Sequence, residues 1–386
     1  MSARIRNVRL LAGAGLALGL ACGSAGSPGP GGGLSPAASL GEQIFKDTSL
    51  SASGLQSCAT CHVAEAGHGS DNDLPAQLGG AALNLQGTRQ SPTIRYLATN
   101  TGFHYDAEGT PTGGFFWDGR AETLADQAAG PFLNPLEMAM PSKAAVVAKL
   151  AAAPYAAAFR AAFGDAIFTD VEQAYRCMTL ALQHYQREDR DFQPFSSKFD
   201  AFLRGGVRLT DAEARGMALF NDPQKGNCAS CHPSSGPRPL FTDFTYDALG
   251  VPRNPALSAN ADPAYFDLGL GARPEIARPD LYGAFKVPTL RNVALRKALF
   301  HNGRFTSLTD AVTFYVQRDT HPEKWYPTAP DGTVMKFDDL PAKYHGNVNV
   351  KEVPYNRLPG QAPALTDAEV DDVVAFLKTL TDGYTR

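Results

Sequence analysis

Cys58-Ala59-Thr60-Cys61-His62 and Cys228-Ala229-Ser230-Cys231-His232 are two copies of one pattern, 170 residues apart. Two thiols three residues apart can add to the two vinyl groups of one porphyrin while the adjacent imidazole binds its iron, so each copy reads as an attachment site for haem c. The chain should therefore carry two covalently bound haem c groups, with Cys58, Cys61, Cys228 and Cys231 as thioether partners and His62 and His232 as proximal iron ligands. Six cysteines in an exported protein would by default be read as disulfides. The spacing of four of them removes that reading.

Outward from the two motifs, the sequence repeats itself. Leu40-Gly41-Glu42-Gln43-Ile44-Phe45 precedes the first and Arg215-Gly216-Met217-Ala218-Leu219-Phe220 the second, each a short helical segment ending in an aromatic residue. Thr210-Asp211-Ala212-Glu213 is a capping box opening the second of these helices. Another, Thr366-Asp367-Ala368-Glu369, opens a helix whose Val370, Val373, Val374, Leu377 and Leu380 fall on one face. That helix should cross the one before the second motif and close its domain. Helical periodicity also runs from Val171 to Leu182 and from Leu308 to Val316, and no strand-rich stretch rivals these. The expected fold is mainly α: two cytochrome c-like haem domains with long loops, residues 37–201 and 202–386, joined near Phe202 to Arg208. A chain of 386 residues suits two domains.

Net charge is -4, with 35 basic and 39 acidic residues spread along the chain, so no basic stripe points to nucleic acid. Arg4, Arg6 and Arg9 followed by the apolar run Leu10 to Ala21 read as a signal peptide over residues 1–21, which places the mature protein in the periplasm. Cys22 follows directly, and the Gly/Ser/Pro tract to residue 36 resembles the tether behind a lipidated cysteine, so Cys22 is expected to anchor the chain to a membrane. Cys177, inside the helical pattern, reads as a small buried core thiol.

Two stretches carry a family resemblance. The first is Phe115-Phe116-Trp117-Asp118-Gly119-Arg120-Ala121, followed by Gln127, Gly130-Pro131 and Asn134-Pro135-Leu136-Glu137-Met138. The second is Phe285-Lys286-Val287-Pro288-Thr289-Leu290-Arg291-Asn292-Val293, running on to Phe300-His301-Asn302-Gly303. With the paired haem motifs, they make the chain similar to the bacterial di-haem cytochrome c peroxidases and their relative MauG, which oxidises tryptophans in a partner protein. The resemblance implies that the N-terminal haem meets peroxide and the C-terminal haem receives electrons. By motif, Glu137 matches the acid that moves protons in the peroxide pocket, with Gln127, Pro131 and Phe116 around it. Heterolysis of the O–O bond takes a proton from one peroxide oxygen and gives it to the other, which a single carboxyl can do as base and then acid. Trp117 matches the tryptophan between the two haems, a position in which it can fill space and conduct.

The chain also departs from the family pattern. Where the peroxidases carry a histidine that caps the peroxidatic iron, Ala81-Ala82-Leu83-Asn84 stands here. His68, six residues after His62, is close for a residue that must cross to the other face of the ring and reads as a surface-loop residue, with a capping ligand as the alternative. The first iron is thus expected to be open as isolated. Where the peroxidases supply methionine to the second haem this chain has Tyr315, as MauG has tyrosine; Met335 is the alternative ligand. The positions matching the family's calcium are Gln90, Arg296 and Ala298, and an arginine there makes calcium doubtful, its guanidinium taking the cation's place. Three functions follow. One is a peroxidase reducing hydrogen peroxide with electrons from a small c-type cytochrome or cupredoxin. Another is a MauG-like oxidase acting on a protein partner. The third, an electron carrier, would fill both axial positions of both irons and is disfavoured. The family resemblance also admits a homodimer.

Overall fold

The computed structural model describes Cys22 and residues 33–385. The expected signal peptide and most of the tether lie outside the described residues. The described residues form ten α-helices: α1 Pro36–Lys46, α2 Cys58–Cys61, α3 Leu124–Leu133, α4 Lys143–Ala152, α5 Ala156–Phe163, α6 Val171–Glu188, α7 Lys198–Leu203, α8 Asp211–Asn221, α9 Leu308–Gln317 and α10 Asp367–Lys378. Strand structure among them is confined to three two-residue antiparallel pairs. The fold is mainly α with long loops.

Each haem motif is approached by a helix that crosses a longer or later one at a glycine. In α1, a Cβ added to Gly41 would lie 2.0 Å from the carbonyl oxygen of Ala181 in α6; in α8, one on Gly216 would lie 1.9 Å from that of Asp372 in α10. Only glycine permits either approach, so the repeated Gly41 and Gly216 are the contact points of two equivalent helix crossings. The ends are pinned alike. Ser35 caps α1 while its N–H and hydroxyl both donate to Glu188 at the end of α6. Both expected capping boxes form, at Thr210/Glu213 and Thr366/Glu369, and Arg215–Asp372 and Lys225–Glu369 ion pairs, both 2.7 Å, tie α8 and the loop after it to α10.

Two hydrophobic cores result. One gathers α1, α4, α5 and α6 around Phe45, Phe159, Met178 and Phe192. The other contains the predicted α10 face, Val370, Val373, Val374, Leu377 and Leu380, all buried. There the Phe376 ring lies 5.3 Å from Phe220 and 5.4 Å from Phe199; removing so enclosed a ring costs about 3–5 kcal/mol. Phe199, in α7, thus packs with the second core, and Asp200 beside it is buried against Arg291 at 2.9 Å. The loop leading to Trp117 crosses over as well: Thr112 bridges Thr245, and the Lys286 N–H donates to the Trp117 carbonyl at 2.8 Å.

The structure corrects the cysteine expectations. Cys22 and Cys177 form a disulfide. Cys177 is therefore not a free core thiol, and a Cys22 sulfur bonded to Cys177 has no valence left for a lipid thioether. A pairing across 155 residues leaves no local signal.

Candidate functional site: two haem cavities sharing a wall

Each motif opens onto a cavity of its own, one in each half. Cys58, Cys61 and His62 line the first; Cys228, Cys231 and His232 line the second. All four thiols are free, and burial raises them, to about 12 for Cys58 and Cys228 and about 11 for Cys61 and Cys231. Neutral thiols on a cavity wall suit thioether formation better than thiolate binding of a bare metal ion. Each histidine has its Nδ1 against a carbonyl, His68 at 3.1 Å for His62 and Phe241 at 2.8 Å for His232. A carbonyl only accepts, so Nδ1 carries the proton and Nε2 is left with its lone pair for iron. Burial lowers His62 to about 4 and lowers His232, keeping both rings neutral. The donor sets and the space around them fit one haem each.

The first cavity has the more polar wall. Glu137, Gln127, Asn134, Pro131, Phe116 and Arg120 share its wall. Burial raises the Glu137 carboxyl above its ordinary value, opposed by the Asn134 amide, which donates to Oε1 at 2.7 Å. Gly79 makes the fit possible, since a Cβ there would lie 2.2 Å from the Leu136 carbonyl and 2.7 Å from the Glu137 Cα. Phe116 has φ 65°, a left-handed conformation that is strained for a bulky residue, between Gly114 and Gly119 at φ 69° and 70°. The Arg120 guanidinium covers its ring at 3.7 Å. His62 is the one histidine on this wall among the described residues.

His68 requires correction. It is buried rather than a surface residue, 3% exposed, stacked on Phe192 at 4.2 Å, with Nε2 donating to Asp191 at 2.7 Å. Its carbonyl holds His62 from behind. It braces the proximal ligand and does not line the cavity as a cap would.

The second cavity is more apolar. Tyr315, Tyr355, Phe300, Leu308, Val312 and Phe337 are among its lining residues. Tyr315 sits 5.6 Å from the Phe300 ring and 6.1 Å from Tyr355, and burial pushes both phenols above their ordinary range. Met335 is half exposed and does not line the cavity. Its N–H donates to the Pro327 carbonyl at 2.8 Å beside the Thr328–Val334 bridge, so of the two expected ligands only Tyr315 lines this cavity. His301 also lines this cavity, stacked on Phe285 at 3.5 Å. Gln90, Arg296 and Ala298, the calcium-like positions, are all among the lining residues of this cavity.

Trp117, Gln90 and Asp267 line both cavities. The indole N–H donates to the Gln90 carbonyl at 2.8 Å, which fixes the ring between them. Arg89 ties this partition together, bonding Asp118 at 2.6 Å and Asp267 through Nε and Nη2 at 2.6 and 2.7 Å. Sequence reasoning missed Arg89, Asp267 and Tyr355. None lies in a motif, and the Arg89–Asp267 pair spans 178 residues.

Residues 35–208 match the family model for di-haem cytochrome c peroxidase. The methylamine utilization protein MauG of Paracoccus denitrificans is 38% identical over 360 residues, 89% of this chain and 88% of that one. Cytochrome c551 peroxidase of Pseudomonas aeruginosa is 31% identical over 277 residues, 71% of this chain and 69% of that one. The crystal structure of the di-haem peroxidase BthA from Burkholderia thailandensis superposes with a TM-score of 0.84 at 41% identity, covering 92% of this chain and 87% of that one. A BthA variant with methionine in place of a tyrosine superposes at 0.83.

Proposed function

The chain belongs to the family of di-haem cytochrome c peroxidases and MauG proteins, oxidoreductases that act on peroxide, and from that premise we propose that it reduces hydrogen peroxide to water in its first cavity with electrons received through its second. The observation that carries this reading is the asymmetry of two cavities that share Trp117: the first is the more polar and gathers Glu137, Gln127, Pro131 and Phe116 on its wall, whereas the second is more apolar and presents Tyr315, with its own buried carboxyls at Asp247 and Asp339.

A haem c held by each Cys-Cys-His set supplies the redox chemistry. Reduction of one peroxide consumes two electrons and two protons and gives two waters, so the residues must move protons and pass electrons. Glu137 takes the proton from one peroxide oxygen and returns it to the other. Its burial raises its proton affinity and Asn134 aims Oε1; general acid–base catalysis of this kind contributes about 10² to 10⁴ in rate. Gln127 offers a buried amide to the bound oxygen. Phe116 and Pro131 limit the space to a small oxidant. Trp117 carries electrons across the partition in two short steps. Tyr315, on the wall of the second cavity, would hold that haem's iron through its phenol oxygen, and Arg296 would stand where the family resemblance implies a calcium ion. The donor is a small c-type cytochrome or cupredoxin, and the enzyme works in the periplasm.

A second reading is favoured by Tyr315. A hard anionic donor stabilises the ferric state and lowers the potential relative to methionine, which suits a MauG-like enzyme that uses peroxide to oxidise side chains of a partner protein. Steady-state peroxide consumption with reduced small cytochrome or azurin separates the two, run on protein as isolated and after pre-reduction. Fast turnover without pre-reduction is expected. Negligible turnover, with a spectral change that persists after peroxide, would overturn the peroxidase reading in favour of the second.

A further inference from the structure

Six lysine or arginine residues are buried among the described residues: Arg95, Arg273, Lys286, Arg291, Arg296 and Arg318. Four have a carboxylate partner. Arg95 pairs with Asp191, Arg273 with Glu275 at 2.5 Å, Arg291 with Asp200 at 2.9 Å and Arg318 with Asp319 at 2.7 Å. None of these four lines either haem cavity. The two without a salt bridge, Lys286 and Arg296, both line the second.

Their polar contacts are sparse. The Lys286 ammonium donates to the Gly114 carbonyl at 2.8 Å, which leaves two of its three N–H groups. Arg296 donates from Nη2 to the Thr289 carbonyl at 3.1 Å, and its Nε has no partner. Burial lowers Lys286 to about 7, against the influence of Asp118, and Arg296 to about 10 with no carboxylate acting on it. The acids nearby are otherwise engaged. Asp118 is shared by Arg89 and Arg120, and Asp267 is held by Arg89. Asp339 accepts from Asn302 at 2.9 Å, and burial raises it to about 7. Burying a cation without a counter-charge is costly, and proteins avoid it unless an anion arrives with the ligand. A porphyrin of the haem c type brings two carboxylates.

We propose that Lys286 and Arg296 bind the propionate carboxylates of the haem in the second cavity, so that the cofactor completes two ion pairs which the polypeptide leaves open. The proposal rests on the reading that the Cys228/Cys231/His232 cavity holds a haem. It gives the buried Lys286 a role beside Trp117, whose carbonyl accepts its backbone N–H, and gives Arg296 an anionic partner of its own.

The test uses holoprotein variants Lys286→Met and Arg296→Met, with Arg296→Lys as the charge-retaining control. Haem content by mass and absorbance comes first: if the wild type binds one haem only, at the first motif, the underlying reading fails rather than this proposal. With two haems, each methionine variant should shift the second haem's propionate bending modes in resonance Raman spectra, lower that haem's reduction potential and lower the melting temperature. Arg296→Lys should keep the wild-type Raman pattern more closely than Arg296→Met. Unchanged propionate modes in both methionine variants, with melting at or above wild type, overturn the proposal. If Arg296→Met does not accumulate, the Lys286→Met and Arg296→Lys spectra decide it.

Discussion

The two cavities are built alike on the side that would hold the haem and unlike on the side that would react. In both halves a helix crosses its partner at a glycine, ends in a phenylalanine on the cavity wall, and leads to two neutral thiols and a histidine whose Nδ1 is held by a carbonyl. Beyond that shared frame, the first cavity's wall includes Glu137, Asn134 and Gln127, while the second's includes Tyr315 and Tyr355 among apolar side chains. A duplicated frame therefore fixes where each haem goes, and a few other side chains on the wall determine what each can do.

Removing the reactive element of the first cavity gives the largest expected effect. Glu137→Gln should leave both haems attached and the second haem's potential unchanged while peroxide turnover falls by about 10² to 10⁴. Turnover within about threefold of wild type would show that the asymmetry between the cavities does not lie in proton transfer. Trp117→Phe acts on the partition: peroxide should still bind in the first cavity, but inter-haem transfer followed by rapid mixing should slow, because phenylalanine is much harder to oxidise than indole. Unchanged transfer would reduce Trp117 to packing.

The shared frame can be tested in the same way in both halves. Gly41→Ala and Gly216→Ala each push a methyl group against a backbone carbonyl, and overpacking of this kind costs about 1–3 kcal/mol. Both should lower the thermal midpoint, and each should disturb the absorption of the haem in its own half. Equal disturbance of both haems from one substitution would show that the two crossings do not act separately.

Tyr315→Met bears on the second cavity's wall. Burial pushes the phenol's proton affinity up, so it becomes an anionic donor only where a metal cation draws the proton off. If it does so here, methionine removes a negative, hard ligand, and the second haem's potential should rise with a changed low-spin electron paramagnetic resonance signal. The first haem should be unaffected. An unaltered spectrum and potential would mean that Tyr315 is an ordinary member of the aromatic cluster with Phe300 and Tyr355.

What the sequence disclosed and what it hid follow from the range of the interactions. The capping boxes, the α10 face and the cysteine–histidine spacing are local patterns, and the structure follows them residue by residue. Glu137, Gln127, Phe116, Pro131 and Trp117 were legible only as a motif; the cavity they share is a product of the fold. The Cys22–Cys177 disulfide and the Arg89–Asp267 pair join residues 155 and 178 apart, and no local pattern encodes them. The surface reading of His68 rests on its spacing of six residues from His62, which speaks to its reach across the ring and not to its burial. The chain instead turns there with His68 at φ 53°, burying the ring against Phe192 and Asp191.

The smallest predicted effect refines the first cavity's side of the comparison. Three influences set the Glu137 proton affinity: burial raises it, and the hydrogen bond donated by Asn134 and then the Arg120 guanidinium lower it by favouring the charged carboxylate. Asn134→Ala removes only the second, so the carboxyl should hold its proton to higher pH. A base must be deprotonated to accept the peroxide proton, so the acid limb of kcat/KM should move to higher pH in the variant. At pH values well above that limb the rate should approach wild type, apart from any looser aim of the carboxyl. The second haem's potential should not change, because Asn134 does not line its cavity. A limb that stays in place while the plateau falls would show that Asn134 orients Glu137 without tuning it. A limb that moves to lower pH would mean that another group, not Glu137, accepts the proton.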